Sequence, residues 1–133
     1  MQDILKEARI IVPEHKEALQ FALDAVAGYF GGSTVTKGQG TWRDDTGKFI
    51  LEPVNVIDIA CPDTFKTETA LRAIAHAVGK LAKQECVYVR WPSGRVELIS
   101  TADPWRKPAP GIVEIPLNDP AALHNAVADA VGE

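Results

Sequence analysis

Read from the N-terminus, the hydrophobic pattern of this chain alternates between strand-like and helix-like periods in an order that few folds accommodate. "ARIIVP", residues 8–13, is an apolar run closed by Pro13, as expected of a strand buried on both faces. In "EHKEALQFALDAVAGYFGG" the residues Leu19, Ala22, Leu23, Val26 and Phe30 fall on one helical stripe. Glu14 and Glu17 suit the first turn of that helix, and Gly31-Gly32 ends it, because glycine takes the left-handed cap without a Cβ clash. "STVTKGQGTWRD" and "KFILEPVNVIDIAC" flank the turn sequence "DDTG" and form a hairpin. Its first arm is polar and glycine-rich, like an exposed edge. In the second, Val54 and Val56 share one face while Ile57 and Ile59 share the other, which requires either a bulge near Pro53 or cover on both faces. "PDTFKTETALRAIAHAVGKLAKQ" is a second helix with Asp63 as N-cap and a stripe of Leu71, Ile74, Val78 and Leu81. "CVYVRW" alternates as a strand, and "PSG" turns it into "RVELIST".

The order β-α-β-β-α-β, followed by one more strand, predicts an α+β fold of the ferredoxin-like type. Right-handed crossovers place strands one and three at the centre of an antiparallel sheet, with both helices on one face. The 133 residues fit one domain: a core over 1–101 that includes the extra hairpin arm, and an extension over 102–133. In the extension, "ADPWRKPAPG" is a proline-fixed connector, "IVEIP" a short strand and "NDPAALHNAVADAVGE" a helix capped by Asp119. Helices on one side leave the other side of the sheet bare, and a monomer rarely exposes a broad apolar sheet. A homo-oligomer, dimer or trimer, is therefore expected.

Composition narrows the function classes. The net charge of -4 argues against a strongly basic nucleic-acid footprint, and no aromatics for base stacking accompany the basic residues of the second helix. Cys61 and Cys86 sit at strand edges without CxxC or metal spacing, so buried free thiols are expected, with a disulfide left open. No metal or cofactor is implied: His15, His76 and His124 lack the spacing of a ligand face and read as surface residues. The N-terminus has no signal-peptide pattern and no apolar run reaches membrane-spanning length, so the expectation is a soluble cytoplasmic protein with no membrane partner.

"GGSTVTKGQGTWRDDTGKF", followed by an apolar strand, a helix and "CVYVRW", resembles the ferredoxin-like signalling proteins of the PII and CutA type. That resemblance implies trimers that bind nucleotides or other small ligands between subunits. The pattern Gly40-Thr41-Trp42, then Gly47 and Glu52, then "QECV" at 84–87, is similar to small bacterial domains of unknown function with a G-x-W, E, Q-E-x-V signature. Both resemblances fall within residues 8–91.

"TKGQG" is neither a Walker loop nor GxGxxG, since Lys37 precedes the glycines and a strand follows; glycines at an edge explain it better. With the hairpin turning at 44–48, Trp42 lies opposite Ile50 and Glu52 opposite Gly40. Trp42 and Glu52 then become diagonal neighbours. A carboxylate beside an indole, with glycine leaving space, is a place for a polar or cationic ligand. Tyr88 and Arg90 complete a ligand site placed between subunits. Arg72, His76, Lys80 and Lys83 recur along helix two as a basic stripe that reads as a solvated face or a partner surface. Trp105 and Arg106 read as interface anchors or internal packing. No catalytic constellation is evident in the sequence.

The expected function is a non-catalytic, homo-oligomeric binding or regulatory module that takes a small ligand at a subunit interface. The alternatives are a small enzyme whose ferredoxin-like dimer encloses a pocket, and an accessory protein that binds a macromolecule through helix two.

Overall fold

In the computed structural model, residues 4–43 and 45–101 are described. Their elements run β1 (Lys6–Pro13), α1 (Lys16–Phe30), β2 (Thr34–Arg43), β3 (Phe49–Cys61), α2 (Phe65–Leu81), β4 (Cys86–Arg90) and β5 (Val96–Ser100). The sheet order is β2-β3-β1-β4-β5, with each neighbouring pair antiparallel. This is the expected ferredoxin-like arrangement, with β5 added beside β4. The extension, with Trp105, Arg106 and His124, lies outside the described residues.

Period-two alternation decides which residues meet the helices. Ala8, Ile10 and Val12 of β1, Ile57, Ile59 and Cys61 of β3, and Val87 and Val89 of β4 are buried together with Phe21, Val26, Leu71, Ile74 and Val78 of the helices. Each such large apolar side chain contributes roughly 1.5–3 kcal/mol by leaving water. Small residues at the helix interfaces, Ala18, Ala22, Ala25, Ala70, Ala73 and Ala77, let α1, α2 and the sheet come close.

The helix termini correct several expectations. The N-cap of α1 is His15, whose Nδ1 accepts the N–H of Ala18 at 3.1 Å; the preceding Pro13 and Glu14 belong to the strand end and the loop. Gly31 caps the other end with φ 91°, as glycine in that place should. The buried stripe of α1 is Ala18, Phe21, Ala22, Ala25 and Val26, rotated from the expected one, with Leu19, Leu23 and Phe30 only half-buried. Thr64, not Asp63, caps α2 by accepting the Thr67 N–H at 3.2 Å. At its C-terminus Lys83 takes a left-handed φ of 56°, and the Gln84 N–H reaches the Gly79 carbonyl at 2.8 Å. That is the bond of a Schellman ending, here with lysine where glycine is usual.

The phase change in β3 has a clear outcome. Its register runs unbroken from Phe49 to Asp58 across β2 and from Val54 to Cys61 across β1, so no bulge resets it. Ile57 and Ile59 face the helices, while Val54, on the opposite face, is only 7% exposed. On that opposite face Val56, Glu52 and Ile50 are only half-buried, so the enclosure there is local to Val54.

Candidate functional site

The face of the sheet turned away from α1 and α2 carries the residues singled out above. On this face the strands present Thr34, Thr36, Gly38, Gly40 and Trp42 from β2, and Ile50, Glu52, Val54, Val56 and Asp58 from β3. Glu7, Arg9 and Ile11 come from β1, Tyr88 and Arg90 from β4, and Val96 and Leu98 from β5. The face is banded rather than uniformly apolar. One end holds charge: Arg9 donates from Nε to Asp58 at 2.7 Å and from a terminal nitrogen to its second oxygen at 3.2 Å. That hydrogen bond and the Asp58 charge raise the Arg9 pKa further above its ordinary value. Arg90 pairs with Glu7 at 3.2 Å. The alternation of sign lets Arg9 and Arg90 sit opposite each other in register. Beyond this band come Ile11, Val56, Tyr88 and Leu98, which are apolar or aromatic.

The β2–β3 hairpin runs past the end of β1, whose last partner on β3 is Val54. On this projecting part the register pairs Gly40 with Glu52 and Trp42 with Ile50, the pairing the turn at 44–48 implied. Trp42 is 47% exposed and Glu52 half-buried. A Cβ at Gly40 would stand 3.3 Å from a Val54 methyl and 3.9 Å from Cγ of Glu52. Glycine there places no side chain beside the Glu52 carboxylate, on the face that also carries Trp42. Phe49 and Leu51, on the opposite side of the hairpin, are also exposed.

Tyr88 and Arg90 share the face but not the locality. Through the Ile10–Val89 and Ile11–Val56 pairings, Tyr88 is level with Val56, four residues from Glu52 along β3 and two strands across. At ~3.3 Å per residue and ~4.8 Å per strand, that places Tyr88 about 16 Å from Glu52, and Arg90, level with Asp58, about 22 Å from it. A single chain brings Trp42 and Glu52 together and leaves Tyr88 and Arg90 elsewhere.

The basic stripe of α2 is not a continuous solvated surface. Arg72 grips Glu97 through both terminal nitrogens at 2.7 and 3.0 Å, reaches Glu68 at 3.0 Å, and lies 4.9 Å over the ring of Trp91. Trp91 in turn donates its indole N–H to Glu97 at 3.1 Å. The hydrogen bond from Arg72 lowers the Glu97 pKa, and the same bond raises that of Arg72. This group ties α2 to the β4–β5 hairpin. His76, expected at the surface, is buried at 5% exposure, because α2 is enclosed around most of its circumference. Lys80 is half-buried and Lys83 exposed. Cys61 is a buried free thiol whose pKa burial raises, whereas Cys86 is exposed, against expectation. Cys86 occupies the first position of β4, on the strand face turned away from the helices. His15, also read as a surface residue, is the half-buried cap described above. No group of three or more His, Cys, Asp or Glu among the described residues could hold a metal ion, and no helix among them is long and apolar enough to cross a membrane.

The family model described as "Protein of unknown function (DUF3574)" matches residues 8–97. The chain belongs to this family. This agrees with the expectation of a small domain of unknown function and does not show the resemblance to PII and CutA proteins. No curated protein matches the chain. Among solved structures, a phage SAM lyase in complex with S-methyl-5'-thioadenosine is similar at 18% identity and a TM-score of 0.58, covering 75% of this chain and 92% of that one. A phage SAM lyase in the apo state is similar at 19% identity and a TM-score of 0.48, over 77% and 97% of the two chains. Neither is described as a PII or CutA protein. At this identity the likeness is one of fold. It corrects the expectation of a non-catalytic module, since the architecture read as that of a binding protein is shared with a lyase.

Proposed function

We propose that this chain is a small enzyme that acts on a cationic adenosyl sulfonium compound, bound at Trp42 and Glu52 on the sheet face turned away from the helices. The observation that carries the reading is the exposed indole of Trp42 and the half-buried carboxylate of Glu52 beside Gly40, on the sheet face turned away from the helices, in a fold shared with a SAM lyase. A sulfonium is attracted to an aromatic face and to a carboxylate, and adenine stacks on aromatic rings.

The chemistry assigns the residues different work. Breaking a carbon–sulfur bond leaves both bonding electrons on sulfur and turns the sulfonium into a neutral thioether. The departing carbon must then gain an electron pair, either from an attacking oxygen of the substrate or from an adjacent C–H bond whose proton a base removes. Glu52 is the carboxylate placed to take such a proton. Trp42 binds the charge that disappears in the reaction, so it favours the bound substrate rather than the transition state. Tyr88 and Arg90, about 16 and about 22 Å from Glu52 within one chain, reach the same ligand from a second copy. The partly exposed band of Ile11, Val56, Tyr88 and Leu98 favours such an association.

The test is incubation with S-adenosylmethionine and chromatographic detection of S-methyl-5'-thioadenosine. The expected result is release above the spontaneous background, lost in Glu52→Gln and weakened chiefly in KM by Trp42→Ala. Mixing Glu52→Gln with Arg90→Ala chains is expected to restore part of the activity. Absence of both turnover and binding up to about 1 mM ligand overturns the reading.

A further inference from the structure

Asn55 is 1% exposed, and neither the oxygen nor the nitrogen of its side-chain amide has a hydrogen-bond partner. It belongs to the helix-covered face of β3, in register between Val12 of β1 and Lys37 of β2. Buried amides in folded proteins are almost always paired, and an unpaired one is costly. The position of this one indicates what pairs it. Two residues earlier in β3, the Pro53 carbonyl accepts the N–H of Glu14 at 3.2 Å, at the entry to α1. Asn55 therefore lies beneath the start of that 15-residue helix. There the His15 ring takes the Ala18 N–H, and the first intrahelical bond runs from Leu19 to His15 at 2.9 Å. The N–H groups of Lys16 and Glu17 have no acceptor within the helix. Between edge strand β2 and the helix start, Lys37 reaches Glu14 at 3.1 Å, with side chains 71% and 53% exposed. An ion pair so exposed contributes little and opens readily.

We infer that the seam between β2 and the start of α1, opened when the Lys37–Glu14 pair parts, is a binding site for a small α-amino acid. The zwitterion carries the two charges that Lys37 and Glu14 now give each other, at similarly short spacing, so it exchanges one ion pair for two. Its carboxylate meets Lys37 and the N–H groups of Lys16 and Glu17, where the helix end favours negative charge. Its ammonium meets Glu14. The Asn55 amide, donor and acceptor in one group, bonds to the carboxylate through Nδ2 and to the ammonium through Oδ1. The sheet separates this site from Trp42 and Glu52, so it stands or falls apart from the proposed catalysis.

The experiment is a nuclear magnetic resonance titration of the full chain with glycine and L-alanine, with acetate and methylammonium as half-molecule probes. Both amino acids are expected to shift the Asn55 side-chain amide and the Lys16 and Glu17 backbone amides saturably. Each half-molecule is expected to bind at least about tenfold more weakly, the factor that 1.4 kcal/mol represents. Asn55→Val and Lys37→Met are each expected to weaken amino-acid binding by about tenfold or more. Lys37→Met, at an exposed position, keeps the test valid if the core variant does not fold. Three outcomes overturn the inference: no response of these amides to either amino acid up to about 10 mM; half-molecules binding as tightly as the zwitterion; or undiminished binding in Lys37→Met. The first outcome, with Asn55→Val more stable than the wild type, assigns Asn55 to a trapped water instead.

Discussion

Gly79 lies in the buried side of α2, and replacing it with alanine sets two known effects against each other. Alanine is the better helix former by about 1 kcal/mol, which alone would stabilise the protein. The added methyl, however, would overlap the side-chain methyl of Thr101 and stand 3.0 Å from a methyl of Val87. Neither neighbour gives way easily. Thr101 is buried, its hydroxyl donates to the Gln84 carbonyl, and its N–H donates to the Glu85 carbonyl at 2.9 Å. Val87 is a core residue of β4. Overpacking of this kind costs about 1–3 kcal/mol, and a direct overlap belongs at the upper end. The net expectation for Gly79→Ala is a loss of about 1–2 kcal/mol, or a melting temperature lower by roughly 4–8 °C for a chain of this size. Thr101→Ser removes the obstructing methyl and keeps the hydroxyl. Alone it should destabilise slightly by leaving a small void, but in the double variant the alanine methyl fills that space. Chemical denaturation of the four proteins should therefore show a favourable coupling of about 1 kcal/mol or more. A single Gly79→Ala variant that gains the full helix increment, or additive effects in the cycle, would refute the packing argument.

Acid should loosen the tie between α2 and the β4–β5 hairpin. The folded pKa of Glu97 is depressed by Arg72, so its stabilising contribution is present above the unfolded carboxylate pKa and is lost as pH falls through the folded one. Glu97→Gln should accordingly flatten stability against pH below about 4.5, and an unchanged acid limb in denaturant melts would remove Glu97 from that role. Thiol titration with an aromatic disulfide should find only Cys86 reactive in the native protein and both cysteines after unfolding, because Cys61 is buried with a raised pKa. Fast reaction of both thiols in the native state would contradict the packing of β3.

The pair Trp42–Glu52 is legible in the sequence because a hairpin turn fixes register, and register fixes which side chains become neighbours. Tyr88 and Arg90 are legible as residues of the same face, but not as residues about 16 and about 22 Å from Glu52, since the stagger between β4 and β3 is mediated by β1. Arg72 illustrates the opposite failure. Its spacing with His76, Lys80 and Lys83 is that of a surface stripe, yet Glu97 lies in β5, and nothing local announces that pairing. Asn55 carries no signal at all in the sequence. An asparagine within a run of valines and isoleucines is unremarkable until its surroundings show that both amide atoms lack partners.

Local sequence alone determined the elements, their order, the glycine cap at Gly31 and the hairpin turn, because backbone geometry and hydrophobic period act over a few residues. Tertiary structure decided which helix face is buried, which polar groups are enclosed and which ion pairs form. Those outcomes depend on contacts between segments far apart in the chain, where small differences in packing and desolvation choose the winner.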